Sequence, residues 1–404
     1  MIGFLLLAIG GLIYLNIVVV PDIPPLFLPT PTPTRDPVSY ELEAEGLVSE
    51  GKYTAAVEVY KQAVTADPQK VLNYINLAKL QIYTGAFEEA RVNAENAILL
   101  NKNYPDAYAL LAWAVALQGD YLNAEAYVKQ GITVDPNSAI SHAIYAYILA
   151  LRISDGAGEL GTVDKAIEES RTAWTLNPNL LEARWARGFV LEVTSNYSEA
   201  VEELEVAVEI NGNVAALRQA LGRNYVAMEE YDLAVFEFTK AYALNPTDPD
   251  PNFYISRVYA RLGEFAKAIQ YAEQALKDDP VSPNLNANLG TMYYRNAQYN
   301  QALKYLELAV RGGIADSGEV IEGIPLEYSN SVIEIFSRYG LALSNVNRCN
   351  EAVQVAQAMI QGVPDDETAM FNAEAIISKC EENLENPPTA TPSPTETPAP
   401  TNTP

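Results

Sequence analysis

Few residues in this chain of 404 could do covalent or metal chemistry, and their spacing argues against most of it. There is one histidine, His142, and there are two cysteines, Cys349 and Cys380. A structural zinc site takes four Cys or His ligands in close pairs, and three such residues scattered along the chain do not supply it. Imidazole general-base chemistry would rest on His142 alone. No glycine-rich loop runs into Lys and then Ser or Thr, the arrangement that cradles nucleotide phosphates. The alternating carboxylates of DPDPN, residues 248–252, resemble the start of a calcium loop. The loop's turn glycine and distal bidentate Glu are missing. The sequence therefore predicts no enzyme and no cofactor.

Charge restricts the partners. Lys and Arg number 26 against 52 Asp and Glu, a formal net charge of −26. Such a chain is repelled by the phosphates of nucleic acid and by an anionic membrane surface. Hydrophobic residues, at 49%, are sufficient for a sizeable core.

The two ends differ from the middle. Residues 2–20, IGFLLLAIGGLIYLNIVVV, carry no charge, and Asn16 is the one strongly polar side chain. As a helix rising 1.5 Å per residue they approach the ~30 Å of a bilayer core. This predicts a membrane-spanning anchor over residues 1–20. A cleaved secretion signal is the alternative, but PDIPP follows in place of a small-residue cleavage site. Residues 21–37 and 385–404 are rich in Pro and Thr, as in NPPTATPSPTETPAPTNTP. Such stretches read as an extended, solvated linker and tail.

From residue 37 to residue 366 the pattern repeats every 34 residues, with two interruptions. Residues 215–248, AALRQALGRNYVAMEEYDLAVFEFTKAYALNPTD, show one copy. Leu221, Gly222 and Tyr225 share one helical face, and Ala234, Phe238 and Ala241 share the face of a second helix, which Pro246 stops. The second-helix alanine recurs at Ala56, Ala90, Ala124, Ala166, Ala200, Ala234, Ala268, Ala302 and Ala352. The closing proline recurs at Pro68, Pro136, Pro178, Pro246, Pro280 and Pro364, while Lys102, Gly212 and Ile314 stand in its place elsewhere. Small residues such as Ala78, Ala112, Gly188, Gly222 and Gly290 let paired helices approach, and large ones fill the remaining space. No pair can bury its apolar face alone, so the next pair must cover it.

This pattern resembles the tetratricopeptide repeat (TPR) family. The resemblance implies an all-α fold, a TPR α-solenoid of about nine helix-turn-helix repeats over residues 38–384. A C-terminal capping helix follows the last repeat, and the transmembrane helix precedes the first. SDGAGELG, residues 154–161, is an insertion inside repeat 4, and residues 317–332, containing the apolar VIEGIPLEY, separate repeats 8 and 9. The second is apolar enough to fold back on the array. His142 falls at a packing position in repeat 4.

Cys349 stands where other copies carry a ring, as in GKYTAA, GAFEEA and GDYLNA. In TPR arrays the end of a following helix lies beside the start of the preceding second helix. The resemblance therefore places Cys349 beside Cys380 and implies a disulfide, which would favour an extracytoplasmic location. Two separately buried thiols are the alternative.

In the family, first helices line a concave groove. The corresponding positions here are Ile75, Lys79, Tyr83, Trp113, Tyr147, Trp185 and Phe189 in repeats 2 to 5, then Gln219, Arg223, Phe253, Arg257, Arg261, Tyr294 and Arg295 in repeats 6 to 8. This implies a peptide groove, aromatic at one end and cationic at the other. The competing reading pairs the arginines with neighbouring Glu. Of the family's carboxylate clamp, Asn76 and Asn288 match but no complete set exists. The reading is a single-pass membrane protein whose array scaffolds a protein or peptide partner, most simply outside the cytoplasm. Alternatives are a cytoplasm-facing assembly platform, or a non-catalytic subunit of a transferase or of a secretion or envelope complex.

Overall fold

The nine repeated alanines are all 0% exposed, which is the sequence pattern turned into packing. The computed structural model describes residues 2–14 and 35–385. They divide into two compact units, parted between Tyr74 and Ile75.

The first unit holds α1 (Ile2–Tyr14), α2 (Pro37–Ser49), α3 (Tyr53–Ala66) and the first turn of α4 (Val71–Tyr83). Asp36 caps α2 by accepting the Val38 N–H at 3.0 Å. Glu41, buried on α2, is held by Lys70 and by Asn73 Nδ2 at 3.0 Å. Burial disfavours its charge, but these two donors outweigh burial and lower its pKa. No helix among the described residues is long and apolar enough to cross a membrane. Helix α1 has 13 residues, about 20 Å. Residues 15–20 of the expected anchor lie outside the described residues, as do nearly all of the linker and tail.

The second unit continues α4 and adds α5 (Phe87–Leu100), α6 (Pro105–Ala116), α7 (Tyr121–Val134), α8 (Ala139–Ser154) and α9 (Thr162–Leu176). There follow α10 (Leu181–Val193), α11 (Tyr197–Ile210), α12 (Ala215–Ala227), α13 (Tyr231–Leu244), α14 (Asp250–Arg261) and α15 (Phe265–Asp278). Next come α16 (Pro283–Arg295), α17 (Tyr299–Arg311), β1 (Gly313–Ile314) and β2 (Val320–Ile321). The last helices are α18 (Asn330–Asn345), α19 (Cys349–Gly362) and α20 (Glu367–Glu385). From α6 onward each first helix packs against its second helix and the repeat that follows. The all-α expectation holds for the described residues; the one addition is a short antiparallel hairpin of β1 and β2, Gly313 opposite Ile321 and Ile314 opposite Val320. It turns the second insertion back onto the array, with Ile321 buried and Leu326 packed on the C-terminal core.

Two local devices set the period. Between paired helices one residue takes a left-handed conformation: Gly51, Gly85, Gly119 and Gly263 with φ of 75–86°, but Ser195, Glu229, Ala297 and Asn347 with φ of 56–63°. A Cβ in that region costs about 1 kcal/mol, so the surrounding packing imposes the turn. After the second helices of repeats 1 to 5 an Asp or Asn carboxyl or amide oxygen accepts the backbone N–H two residues on, at Asp67, Asn101, Asp135, Asn177 and Asn211. This Asx turn ends the helix at Asn101 and Asn211, where the closing proline is missing. Repeat 8 ends instead at Gly312, φ 72°.

A small-against-large pairing holds each hairpin together. A Cβ added at Gly188 would lie 2.6 Å from Leu204 Cγ, at Gly222 2.7 Å from Phe238 Cε1, and at Gly290 2.7 Å from Leu306 Cγ. At the far end a Cys349–Cys380 disulfide ties the first residue of α19 to α20, with Cα atoms 5.4 Å apart. The two cysteines are 31 residues apart, and closing such a loop removes about 3–4 kcal/mol of chain entropy from the unfolded state. Asn383 adds a bond from Nδ2 to the Ser344 carbonyl at 2.7 Å.

Replacing Gly222 with Ala drives a methyl into the Phe238 ring. The expected cost is about 1–3 kcal/mol, read as a lower urea midpoint; an unchanged midpoint would show that the ring yields freely.

Candidate functional site

The expected groove positions separate into a closed half and an open half. In the closed half, Trp113, Trp185 and Phe189 are buried at 1%, 4% and 7% exposure, and Tyr83 at 8%. Their rings form a ladder with half-buried Tyr147. Centroids lie 6.1 Å apart for Tyr83–Trp113, 5.3 Å for Trp113–Trp185, 5.6 Å for Trp113–Tyr147 and 5.0 Å for Tyr147–Phe189. Burial pushes the Tyr147 phenol up to about 12. The expectation of an open aromatic wall is therefore corrected. First helices α6, α8 and α10 lie against one another, so their rings meet each other. The signal was legible in α6, PDAYALLAWAVA, which has nine buried residues and is apolar on every side. Such a helix belongs to an interior.

A carboxylate closes this half. Glu182 on α10 is wholly buried, and its Oε1 accepts from Lys79 Nζ at 2.6 Å and from Tyr83 Oη at 2.7 Å. Ile75 is buried too. Further along, Arg223 grips Glu192 with two bonds, Nε to Oε1 at 2.9 Å and Nη2 to Oε2 at 3.2 Å. Burial works against the Arg223 charge, but Glu192 outweighs it and holds the guanidinium protonated beyond its ordinary range. Gln219 is buried and donates to Asp248 Oδ2 at 2.6 Å. For Arg223 the pairing with a neighbouring Glu is what the structure shows.

The open half begins at α14. A cavity of about 560 Å³ is lined by Phe253, Arg257, Arg261, Asn288 and Arg295, with Ser331, Glu334 and Ile335 from α18. A second, of about 140 Å³, shares Arg257 and Arg261 and reaches Arg223 and Tyr254. Arg257, Arg261 and Arg295 are exposed, and no ion pair engages them among the described residues. Arg257 lies over the Phe253 ring at 5.4 Å and Arg295 over Phe265 at 5.3 Å. Asp250, Asp279 and Glu334 line the same cavity without closing on the guanidiniums. Burial pushes the Asp250 carboxyl up, Asp248 adds to this, and Arg223 opposes it. Asn288 Nδ2 donates to Ser256 Oγ at 2.8 Å, so its amide is already engaged. Tyr294 stands outside this cavity, between Arg338, 5.3 Å from its ring, and Tyr299. The α18 lining was not legible, because the insertion before it breaks the 34-residue register.

Paired helices in which a glycine of one sits against a large side chain of the other, repeated along the chain, define a helical-repeat protein. Comparison with known proteins names the repeat. Models of the tetratricopeptide repeat match residues 75–139, 220–283 and 253–317, and another matches 47–92. The chain carries tetratricopeptide repeats. It is similar to the tetratricopeptide repeat and J domain-containing co-chaperone DNJ1 of Cryptococcus neoformans, 26% identical over 147 residues, 36% of this chain and 28% of that protein. It is also similar to the Hsp70-Hsp90 organising protein of Plasmodium falciparum, 34% identical over 89 residues, 22% of this chain and 35% of that protein. The matches thus span about a third of these relatives' length. A solved structure of Pseudomonas aeruginosa pilF aligns over 50% of this chain and 90% of its own, with 20% identity and a TM-score of 0.41.

Trp113→Ala should behave as a core deletion. It should cost about 3–5 kcal/mol in denaturant unfolding. A loss below about 1 kcal/mol would mean the ladder is a loose surface after all.

Proposed function

We propose that this protein is a membrane-tethered TPR scaffold that holds an extended, acid-bearing segment of a partner protein in the cleft of α14, α16 and α18, outside the cytoplasm. One observation carries the binding reading: three exposed guanidiniums face one cleft in a chain of net charge −26 and have no carboxylate partner among the described residues. Arginine presents a planar fork to carboxylates, and Phe253 adds rigid contact area beside it. Arg261 and Arg295 occupy the same position in successive repeats, so a strand laid along the cleft meets charge at regular intervals. The relatives named above are described as a co-chaperone and an organising protein, which agrees with a partner-holding role.

Two features support the tether and its side. Helix α1 leaves Leu5, Ile9, Leu12 and Ile13 exposed, and the uncharged run continues in sequence to residue 20. The Cys349–Cys380 bond suits an oxidising compartment. A cytoplasm-facing platform would instead hold both thiols reduced.

Crosslinking in intact cells, with wild type and with an Arg257→Ala, Arg261→Ala, Arg295→Ala variant, tests the cleft. Recovery of the partner should fall at least tenfold, as the loss of about 1.4 kcal/mol or more requires. Equal recovery would count against the cleft. For the tether, protein extracted with thiol-blocking reagent should sediment with membranes through a carbonate wash and show no alkylated cysteine by intact mass. Release by the wash removes the anchor, and a doubly alkylated species removes the extracytoplasmic side.

A further inference from the structure

His142 is the only histidine of the chain, and both ring nitrogens face acceptors. Nδ1 lies 2.5 Å from Glu169 Oε2 on α9, and Nε2 lies 3.0 Å from the Pro136 carbonyl of the connector before α8. His142 and Glu169 are both buried.

The next two repeats show what this position does. At the equivalent place Arg184 donates from Nε to the Pro178 carbonyl at 2.6 Å and from Nη1 to Glu203 Oε2 at 2.5 Å. One repeat further, Arg218 donates from Nε to the Gly212 carbonyl at 2.6 Å and from Nη1 to Glu237 Oε2 at 2.7 Å. Each side chain reaches back six residues to the connector and across to the same turn of its second helix. Where the position passes to Asn252 and Asn286, the second-helix place passes from Glu to Tyr271 and Tyr305. The cation and the carboxylate therefore change together along the chain.

An arginine always offers both N–H groups. A histidine offers both only as imidazolium. A neutral ring has one proton: if it sits on Nδ1, the Nε2 lone pair faces the Pro136 carbonyl, and if on Nε2, a lone pair faces Glu169. Either tautomer sets two acceptors against each other in a buried place.

We propose that His142 is a proton-operated clip, doing for repeat 4 what Arg184 and Arg218 do permanently for theirs, and fastening α8 to α9 fully only when the imidazole carries both protons. The charged groups that act on the ring are Glu169 and Lys165, both on α9. Lys165 Nζ holds the other oxygen of Glu169 at 2.9 Å, so the carboxylate stays ionised when the ring loses its proton. The bond to Glu169 raises the His142 pKa; burial works against this, the Pro136 carbonyl adds to it, and Lys165 opposes it. A folded pKa above the unfolded value gives a contribution fully present below about pH 6.5 and lost as pH rises through the folded pKa. Helix α8 also carries Tyr147, so the clip fastens an outer helix to the centre of the ring ladder. The device is independent of what the cleft binds.

The ring protons of a sole histidine give one unambiguous NMR titration in the full chain. The expected midpoint lies above about 6.5; a midpoint at or below that value overturns the proposal. The protection factors of α9 amides, which remove the tenfold intrinsic rise of exchange with each pH unit, should fall across that midpoint, by about tenfold for each unit of elevation. In the variant H142R, protection factors should stay level over the same range. Protection factors that are level in wild type, or that fall equally in H142R, overturn it as well.

Discussion

The approach of two helices to within reach of one methyl group is the constraint on which the array depends. Gly188, Gly222 and Gly290 sit against Leu204, Phe238 and Leu306 with no room for a Cβ. The nine second-helix alanines are closed off completely. Because each hairpin is this thin, its remaining apolar surface lies on the outside of the pair, and only the neighbouring pair can cover it. The period of 34 residues follows from that geometry, since every copy must present the same ridge to the next. It also explains how Ser195, Glu229, Ala297 and Asn347 occupy left-handed turns without glycine: packing on either side outweighs about 1 kcal/mol of local strain.

The inner positions show one register used in two ways. Between α6 and α10 the first helices touch, their rings interlock, and a buried Glu182 is ion-paired with Lys79 and hydrogen-bonded by Tyr83. From α12 onward contacts between successive first helices are sparse. Asn288 still reaches Ser256 across α14 and α16, but Arg257, Arg261 and Arg295 meet solvent. Arg223 stands at the changeover, paired with Glu192 on the closed side and bordering the smaller cavity on the open side. The acidic excess of the chain makes the arginines beyond it conspicuous.

Much of the fold was legible because repetition multiplies a weak signal. The alanine spacing located second helices, the capping helix matched Glu367–Glu385 to within a residue, and the two cysteines paired as the family's packing implied. The candidate site was legible only in part. A repeat position says which face a residue is on, not how closely the next helix of that face lies. Trp113 and Arg295 therefore looked alike in sequence, though one is core and the other borders a cavity. Composition would have separated them: α6 has no polar side, whereas α14 alternates Asn252, Ser256 and Arg257 with Ile255 and Val258. The contribution of α18 was lost with the register at the hairpin insertion. His142 was read as a packing residue, since its likeness to Arg184 and Arg218 appears only when its two nitrogens have partners.

The covalent tie between α19 and α20 gives the array a direction. A linear stack without it would lose structure from whichever end happened to loosen, one hairpin at a time. With Cys349 joined to Cys380, the last helix cannot peel away from the one before it, so that end acts as an anchor post. Unravelling then proceeds as a zipper opened from the opposite end, and a load carried along the chain would spend the distal repeats last.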